Sequence, residues 1–406
     1  MAQTHAYDLI SPAFQANPFP ELERMRAAGP VVQVRLPIVG AIKLAVTHDA
    51  CVTLLRDQQT FVRDARNAGK RSQIGILPWL PRPVRVLADN MLGHDDPKHR
   101  MLRGIVDQAF ARRGIEALRP MIREIADRLL DQLEGRAEAE LMAEFCRDLP
   151  LSVICAMLGL PERDHDTFKR WIGGIADTAN VWAVLRAIPG VLRTVGYVRR
   201  MAAPGSDAAP DGLIAALRDA EIDGRRLTDD ELASMVFLLF AAGQETTTHL
   251  IAGGIHTLLR HPDQKQCMMD DPSTIPQAVE ECLRHVSPVQ MTKPRFAARA
   301  IELAGVPLER GDMVAALVAA ANSDPAVFAA PNTFDIRRQP NPHIAFGTGV
   351  HFCLGFQLAR VEAAVAFERF FTRFPAARVA HGPDHDLWRR RFGIRALAQL
   401  PVRLAA

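Results

Sequence analysis

The stretch "FGTGVHFCLGFQLAR", residues 346–360, sets a single cysteine between glycines and the start of a helical pattern. A helix that begins just after Cys353 would direct its free N–H groups and the positive end of its dipole toward the sulfur. Both effects stabilise a thiolate. Gly347 and Gly349 permit a tight bend with unusual backbone angles, and Gly355 has no side chain to obstruct a flat ring. The stretch therefore predicts a loop that presents a thiolate.

Several kinds of site could use such a cysteine. A zinc site would need partners, and only His351 is near, without a CxxC or HxxxH pattern. Covalent haem attachment needs CxxCH, and "GTGVHF" lacks the third glycine of a dinucleotide loop. Cys282 and His285 have a ligand-like gap but lie in an apolar helical pattern, which favours core packing. A lone thiolate for one metal centre and an inert core cysteine remain the two interpretations of Cys353.

The whole pattern Phe-x-x-Gly-x-His-x-Cys-x-Gly, continued by "LAR" at 358–360, resembles the haem-binding loop of the cytochrome P-450 family. The resemblance implies that Cys353 is the axial ligand of the iron of haem b and donates electron density to it. It also implies that His351 contacts a haem propionate. Phe346 and Gly355 would border the cofactor, and Phe346 could shield the sulfur from water.

Three further basic residues match propionate-binding positions of the family. His99 and Arg103 in "HDDPKHRMLR" stand four apart, which on its own favours an exposed basic pair at a helix start. Arg295 stands ten residues before Gly305, as the corresponding family residue does. A guanidinium suits a carboxylate through two parallel hydrogen bonds. The resemblance therefore implies that all three bind propionates.

"EECLR" places Glu281 and Arg284 three apart on one predicted helix. By physics alone this is a surface ion pair that contributes a few tenths of a kcal/mol. In the family the same Glu-x-x-Arg is a buried structural pair closed by a later arginine, and Arg338 stands at the matching position. We therefore assign these three residues to fold integrity.

The long apolar pattern near residue 240 contains "FAAGQETTTH", in which Gly243, Glu245 and Thr246 interrupt the apolar run. These polar residues could point outward, could cap a second helix, or could open the helix for function. The sequence resembles the family's Ala/Gly-Gly-x-acid-Thr motif, where acid and alcohol form a dioxygen groove and a water relay. By that resemblance Glu245 and Thr246 are catalytic: Glu245 would bring protons inward from solvent, and Thr246 would position water.

The rest of the chain predicts a mainly α fold, a single domain over 1–406 with small peripheral β-sheets. Residues 227–261 predict one long helix that opens with the capping box of Thr228 and Glu231 and stops at Pro262. "VVQVRL" and "AIKLAVT" predict a hairpin, and "AIELAGVPLERGDMVAALVA" and "FGIRALAQLPVRL" predict further short strands. Because 53 residues follow Cys353, we expect no fused reductase domain.

Composition excludes several classes of function. The 406 residues carry a net charge of +3 without a basic block, so we expect no nucleic-acid partner. The six cysteines are scattered, which suggests reduced thiols in the cytoplasm. Neither a secretory leader nor a membrane anchor is evident, and the longest apolar run is well short of a span. We expect a soluble, cytoplasmic monomer.

The function implied by the resemblance is a monooxygenase that inserts one atom of O2 into a hydrophobic small molecule. Its electrons would come from NAD(P)H through a separate ferredoxin or flavodoxin, for which Arg103, Arg112 and Arg113 are candidate docking residues. The alternatives are a peroxygenase of the same fold, which uses hydrogen peroxide directly, and a non-catalytic haem sensor. The predicted pocket comprises the segment 74–92 together with five residues: Phe237, Ala241, Ala242, Val289 and Phe392.

Overall fold

The computed structural model describes residues 7–36, 40–70, 86, 89–111, 114–173, 181–203, 205–380 and 387–404. The α-helices of this part of the chain are α1 Pro12–Ala16, α2 Phe19–Ala28, α3 His48–Arg56, α4 Lys98–Ala111, α5 Arg119–Asp131, α6 Asp148–Leu158, α7 Glu162–Gly173, α8 Val181–Ala202, α9 Leu213–Asp219, α10 Asp229–Arg260, α11 Pro262–Asp270, α12 Ile275–Val286, α13 Val318–Ala321 and α14 Phe356–Arg373.

The strands are short and form three small sheets. They are β1 Val31–Leu36, β2 Gly40–Ala45, β3 Phe61–Val62, β4 Glu138–Glu140, β5 Arg295–Ala297, β6 Ile301–Leu303, β7 Val306–Leu308, β8 Met313–Ala316, β9 Arg378–Val379 and β10 Pro401–Arg403. The largest sheet has the order β1-β2-β8-β5-β3, the second has the order β4-β10-β9, and β6 pairs with β7. The pair β2–β8 is parallel, and the other strand pairs are antiparallel. Helices with small sheets confirm the predicted fold class.

The described residues divide into two compact units. The first takes its residues from Met1–Lys70, Arg119–Leu149 and Thr246–Ala406, and the second from Arg71–Leu118 and Pro150–Glu245. All ten strands belong to the first unit.

In the first unit, the five-stranded sheet is covered on both faces. Val314 and Ala316 of β8 join the buried cluster that contains Leu54 of α3, and Ala315 between them joins the cluster that contains Leu22 and Met25 of α2. This alternation follows from the two-residue period of a strand. The apolar strand is buried because each face has its own helix to pack against.

In the second unit, aromatic packing links three helices. The ring of Phe168 on α7 lies edge-on to Phe240 of α10, with 4.9 Å between centroids, and 5.5 Å from Tyr197 of α8. The hydroxyl of Tyr197 donates to Asp164 at 2.8 Å, so its polar end keeps a partner inside the packing.

The long helix α10 spans 32 residues without a break, about 48 Å at 1.5 Å per residue. Its start has both bonds of a capping box: the Glu231 N–H donates to Thr228 Oγ1 at 3.3 Å, and the Thr228 N–H donates to the Glu231 carboxylate at 3.0 Å. Pro262 opens the next helix. The predicted start and end of this helix are confirmed. The interpretation that its central polar residues cap a second helix is wrong, because the helix continues through them.

The predicted hairpin is confirmed: Val31 of β1 faces Ala45 of β2, and Leu36 faces Gly40. Pro120 stands in the first turn of α5, where its missing N–H costs no hydrogen bond. One local prediction needs correction. In the described C-terminal stretch only Pro401–Arg403 forms a strand, because Ile394 and Leu397 each make only a single bridge. None of the helices in the described residues is long and apolar enough to cross a membrane.

Candidate active site

The loop before α14 folds back on itself through backbone hydrogen bonds. The N–H of Cys353 donates to the carbonyl of Phe346 at 2.9 Å, and the N–H of Gly347 donates to Ile344 at 2.8 Å. A 3₁₀ turn over Gly349–His351 lies between them, and α14 begins at Phe356. Cys353 therefore stands three residues before a helix N-terminus, held by its own backbone, as the sequence predicts.

Gly349 is required by both its backbone angle and its surroundings. Its φ is +75°, and a Cβ there would come within 2.4 Å of the Leu55 carbonyl oxygen. Any other residue would strain the backbone and clash with another backbone atom. Gly347 also has a positive φ, +71°, although space surrounds it. The cysteine loop is thus packed directly on the end of α3.

The exposure of Cys353 differs from that of most other cysteines. Burial raises the pKa of the Cys51, Cys146 and Cys282 thiols, which keeps them protonated and inert. Cys353 is only half-buried. A Cβ added to Gly355 would meet no atom within 4 Å, so there is open space beside the loop.

Arg295 lies beside the same loop. Its side chain is 1% exposed and donates to three carbonyls, those of Leu54 at 3.2 Å, Leu55 at 3.0 Å and Phe61 at 3.3 Å. The Leu55 oxygen is also the atom against which Gly349 packs. The structure therefore brings Arg295 next to the cysteine loop.

His351 and Phe346 lie within the loop itself. His351 ends the 3₁₀ turn and is half-buried. The ring of Phe346 packs edge-on to Phe352 and Phe356, with centroids 6.4 and 6.3 Å apart. The contact of this ring with Arg360 was not foreseen from the sequence.

His99 and Arg103 both lie on α4 in the second unit, and each has an acidic neighbour. His99 is 3% exposed with Nδ1 3.5 Å from Asp96 Oδ1, and burial lowers the pKa of its imidazole despite that carboxylate. Arg103 Nε donates to the Asp107 carboxylate at 3.0 Å. The spacing alone predicts an exposed basic pair, but His99 is buried, so this prediction is wrong. Arg112 and Arg113 lie outside the described residues.

Glu245 and Thr246 stand in the middle of the unbroken helix α10, and both are half-buried. Gly243 before them has only Ile154 Cδ1 near the position of a Cβ, at 3.8 Å. Glu245 is therefore not sealed in the core, where an unpaired carboxylate would be costly.

The carboxylate of Glu281 is fully buried and receives two arginines. Arg284 donates through Nε and Nη2 at 2.8 and 2.7 Å, and Arg338 donates through Nε at 3.2 Å. Arg284 also donates to the carbonyls of Asn322, Pro331 and Thr333. The pair is buried, as the resemblance implies, and not at the surface, as the spacing alone indicates. Its hydrogen bonds tie α12 to the segment that leads toward the cysteine loop.

Two of the predicted pocket residues, Val289 and Phe392, lie close together in the fold. Val289 forms a bridge with Ile394, and the N–H of Gln290 donates to the Gly393 carbonyl at 2.9 Å, so the neighbouring Phe392 lies close to Val289 in the fold. Phe392 packs partly buried against the α2 side of the sheet. Phe237, Ala241 and Ala242 lie on α10 in the second unit, Ala242 exposed and the other two half-buried. Of the segment 74–92, only residues 86 and 89–92 are described.

Comparison with known proteins identifies the family. The sequence profile "Cytochrome P450" matches residues 194–386. The chain is 37% identical over 400 residues to the polyketide biosynthesis cytochrome P450 PksS of Bacillus subtilis, with 97% of each chain covered. The chain belongs to the cytochrome P450 family. It is a haem-thiolate monooxygenase, an enzyme that uses O2.

Other P450s match over almost the full length. The 6-deoxyerythronolide B hydroxylase of Saccharopolyspora erythraea is 35% identical, with 98% of each chain covered. The solved structure of the myxobacterial P450 CYP267B1 in complex with myristic acid superposes with a TM-score of 0.87 at 40% identity. It covers 98% of this chain and 99% of its own.

The residues around Cys353 fit a haem. A half-buried thiol at a helix N-terminus can ionise and ligate iron, and the open space beside Gly355 leaves room for a planar group. This fit favours the ligand interpretation of Cys353 over the inert one.

Two acidic residues on α12 and α14 were not singled out from the sequence. Glu280, next to Glu281, binds Arg360 and His343. Glu362 on α14 is 3% exposed, and burial raises its pKa to about 8. Glu280 could have been suspected because "LAR" supplies a cation near the loop. No sequence signal separates Glu362 from a surface glutamate, because only tertiary packing buries it.

Proposed function

We propose that this P450 oxidises a bulky, mainly apolar molecule of the polyketide or fatty-acyl type. The observation that carries the proposal is the similarity to a P450 named for polyketide biosynthesis. The two sequences are 37% identical over nearly their full lengths. A relative named for hydroxylating 6-deoxyerythronolide B and a solved relative that holds myristic acid support the same class. The apolar character of the predicted pocket residues agrees with it.

We further propose a division of labour among the residues of the chain. Haem, when bound, supplies the oxygen chemistry: RH, O2, two electrons and two protons give ROH and water. Cys353 would bind the iron as a thiolate. Arg295, His351, His99 and Arg103 would hold the propionates by charge-assisted hydrogen bonds.

Protons are proposed to enter along α10. The half-buried carboxylate of Glu245 can take a proton from solvent. The hydroxyl of Thr246, the next residue, can hold a water or pass a proton to it because it both donates and accepts. A general acid of this kind contributes a factor of about 10²–10⁴ in rate.

Electrons are proposed to come from NAD(P)H through a separate ferredoxin or flavodoxin. The six free thiols support a reducing, cytoplasmic location for this exchange. The test is reconstitution: the holoenzyme with a ferredoxin, its reductase and NADPH should turn over a bound substrate faster than with hydrogen peroxide alone. Equal turnover with peroxide alone would make the protein a peroxygenase and overturn this proposal.

The substrate class is tested by titration of the oxidised holoenzyme. A panel of macrolide lactones, long-chain fatty acids including myristic acid, steroids and small polar alcohols is screened for the haem absorbance shift that marks displacement of iron-bound water. We expect the lactones and fatty acids to give saturable shifts and the polar alcohols none. A shift with the steroids alone, or with none of the bulky compounds, would overturn the proposed class.

A further inference from the structure

The guanidinium of Arg360 joins two helices of the first unit. Its Nε donates to Glu280 Oε1 at 2.6 Å, and its Nη2 donates to Glu280 Oε2 at 2.8 Å. Arg360 belongs to α14 and Glu280 to α12, so this bidentate pair ties the two helices together. The planar fork of a guanidinium matches the two oxygens of a carboxylate, whereas the ammonium of lysine does not.

The face of the same guanidinium lies over two rings of the cysteine loop. Cζ of Arg360 is 4.6 Å from the ring centroid of Phe346 and 5.4 Å from that of Phe356. A cation within about 6 Å of a centroid is attracted to the face of the ring. The Phe346 carbonyl accepts the N–H of Cys353 at 2.9 Å. Arg360 therefore holds the ring of the very residue whose backbone holds the cysteine.

His343 fixes the other side of the carboxylate. Its Nε2 lies 3.0 Å from Glu280 Oε2, and its Nδ1 accepts the N–H of Ala345 at 3.3 Å. Because Nδ1 accepts, the ring proton is on Nε2 and is donated to Glu280. Burial opposes ionisation of Glu280, but the hydrogen bonds from Arg360 and His343 outweigh it and lower its pKa to about 2. Glu280 is therefore an ionised carboxylate at neutral pH.

We propose that Arg360 is a positioning residue for the Phe346 ring, and through that ring for the Cys353 ligand, with Glu280 as its anchor. This inference rests on the proposed role of Cys353 as the haem ligand. Only a guanidinium can bind both oxygens of Glu280 with its edge while its face covers a ring. Without it the ring loses one fixed neighbour, and water gains access to the loop.

The test follows the thiolate band of the carbon monoxide complex in the reduced holoenzyme. We expect Arg360→Met to lose this band about tenfold faster than wild type during mild warming, and Arg360→Lys to fall between them. In a Phe346→Leu background, Arg360→Met should change the rate by less than about twofold, because the ring through which it acts is gone. Additive effects of the two substitutions would overturn the proposal.

Arg369→Met is the matched control. Arg369 lies on the same helix, its Nε donates to Asp127 at 2.6 Å, and its side chain is 31% exposed against 34% for Arg360. Equal rates of band loss in the two methionine variants would contradict the proposal.

Should Arg360→Met fail to fold, Glu280→Gln takes its place. It removes the anchor at constant size, and an unchanged rate of band loss would overturn the inference. A wild-type holoenzyme without the thiolate band would instead refute the proposed role of Cys353, so the two failures are distinguishable.

Discussion

Thr246 is the residue whose replacement tests the proton path most directly. Thr246→Ala removes the hydroxyl and leaves a good helix former, so α10 should persist. We expect product formed per electron consumed to fall at least tenfold while NADPH consumption continues, because loss of a general acid slows its proton-transfer step by a factor of about 10²–10⁴.

Thr246→Ser is the control for this substitution, because it keeps the hydroxyl. It should retain most of the coupling between electron consumption and product. Unchanged coupling in Thr246→Ala, measured as product against NADPH consumed, would contradict the assigned role.

The buried carboxyl of Glu362 should make the stability of the protein depend on pH. Its pKa is raised by burial to about 8 in the folded protein, from an ordinary value of 4.5. Between these values the folded state keeps a proton that the unfolded state releases, so stability falls as pH rises. The loss is at most about 1.4 kcal/mol per pH unit.

Glu362→Gln removes this dependence. Urea unfolding at several pH values should show the stability of wild type falling relative to Glu362→Gln between pH 4.5 and 8. A constant difference across this window would show that the carboxyl does not hold its proton when buried.

At the scale of elements, two glycines of α10 form a matched pair. A Cβ on Gly254 would lie 2.3 Å from Cζ of Phe367 on α14, whereas one on Gly243 would meet only Ile154 at 3.8 Å. Gly254→Ala should therefore destabilise the protein by about 1–3 kcal/mol through overpacking.

Gly243→Ala should be neutral or stabilising by about 0.5–1 kcal/mol, because alanine favours a helix interior. Urea unfolding of both variants checks the pair. A Gly254→Ala protein as stable as Gly243→Ala would show that the two helices do not meet as described.

The ion pair on α12 gives a second prediction for this scale. Glu281→Gln leaves Arg284 and Arg338 buried beside an uncharged partner. We expect the free energy of unfolding to fall by about 3–5 kcal/mol. Glu21→Gln is the control, since Glu21 and Arg24 have the same spacing on α2 but Arg24 is 56% exposed.

The control substitution Glu21→Gln should lower the free energy of unfolding by less than about 1 kcal/mol. Denaturant unfolding of the apoprotein and holoenzyme measures both. Equal losses for the two substitutions would contradict a structural role for the buried pair.

At the scale of the whole molecule, local patterns predicted the elements whose signals are local. The capping box and apolar period of α10, the hairpin β1–β2 and the glycine-bracketed cysteine loop all follow from neighbouring residues. The two-residue strands β3 and β9 do not, because their partners are distant in sequence and little in such short stretches marks them.

Burial is the property that the sequence conveys least. An i,i+3 Glu–Arg pair is the same pattern on α2, where it is exposed, and on α12, where it is sealed in the core. Only the resemblance to a family indicated which was which. Likewise Glu280 and Arg360 stand 80 residues apart, so only the packing of α12 on α14 brings them together.

The absorption spectrum of the reduced protein with carbon monoxide is the most direct test of thiolate ligation by Cys353. We expect the purified protein to contain haem and to show the red-displaced band of thiolate coordination, and we expect a Cys353→Ser variant to lack that band. A wild-type protein without porphyrin or without that band, or a Cys353→Ser variant that keeps it, would contradict the claim that the sulfur of Cys353 binds the iron.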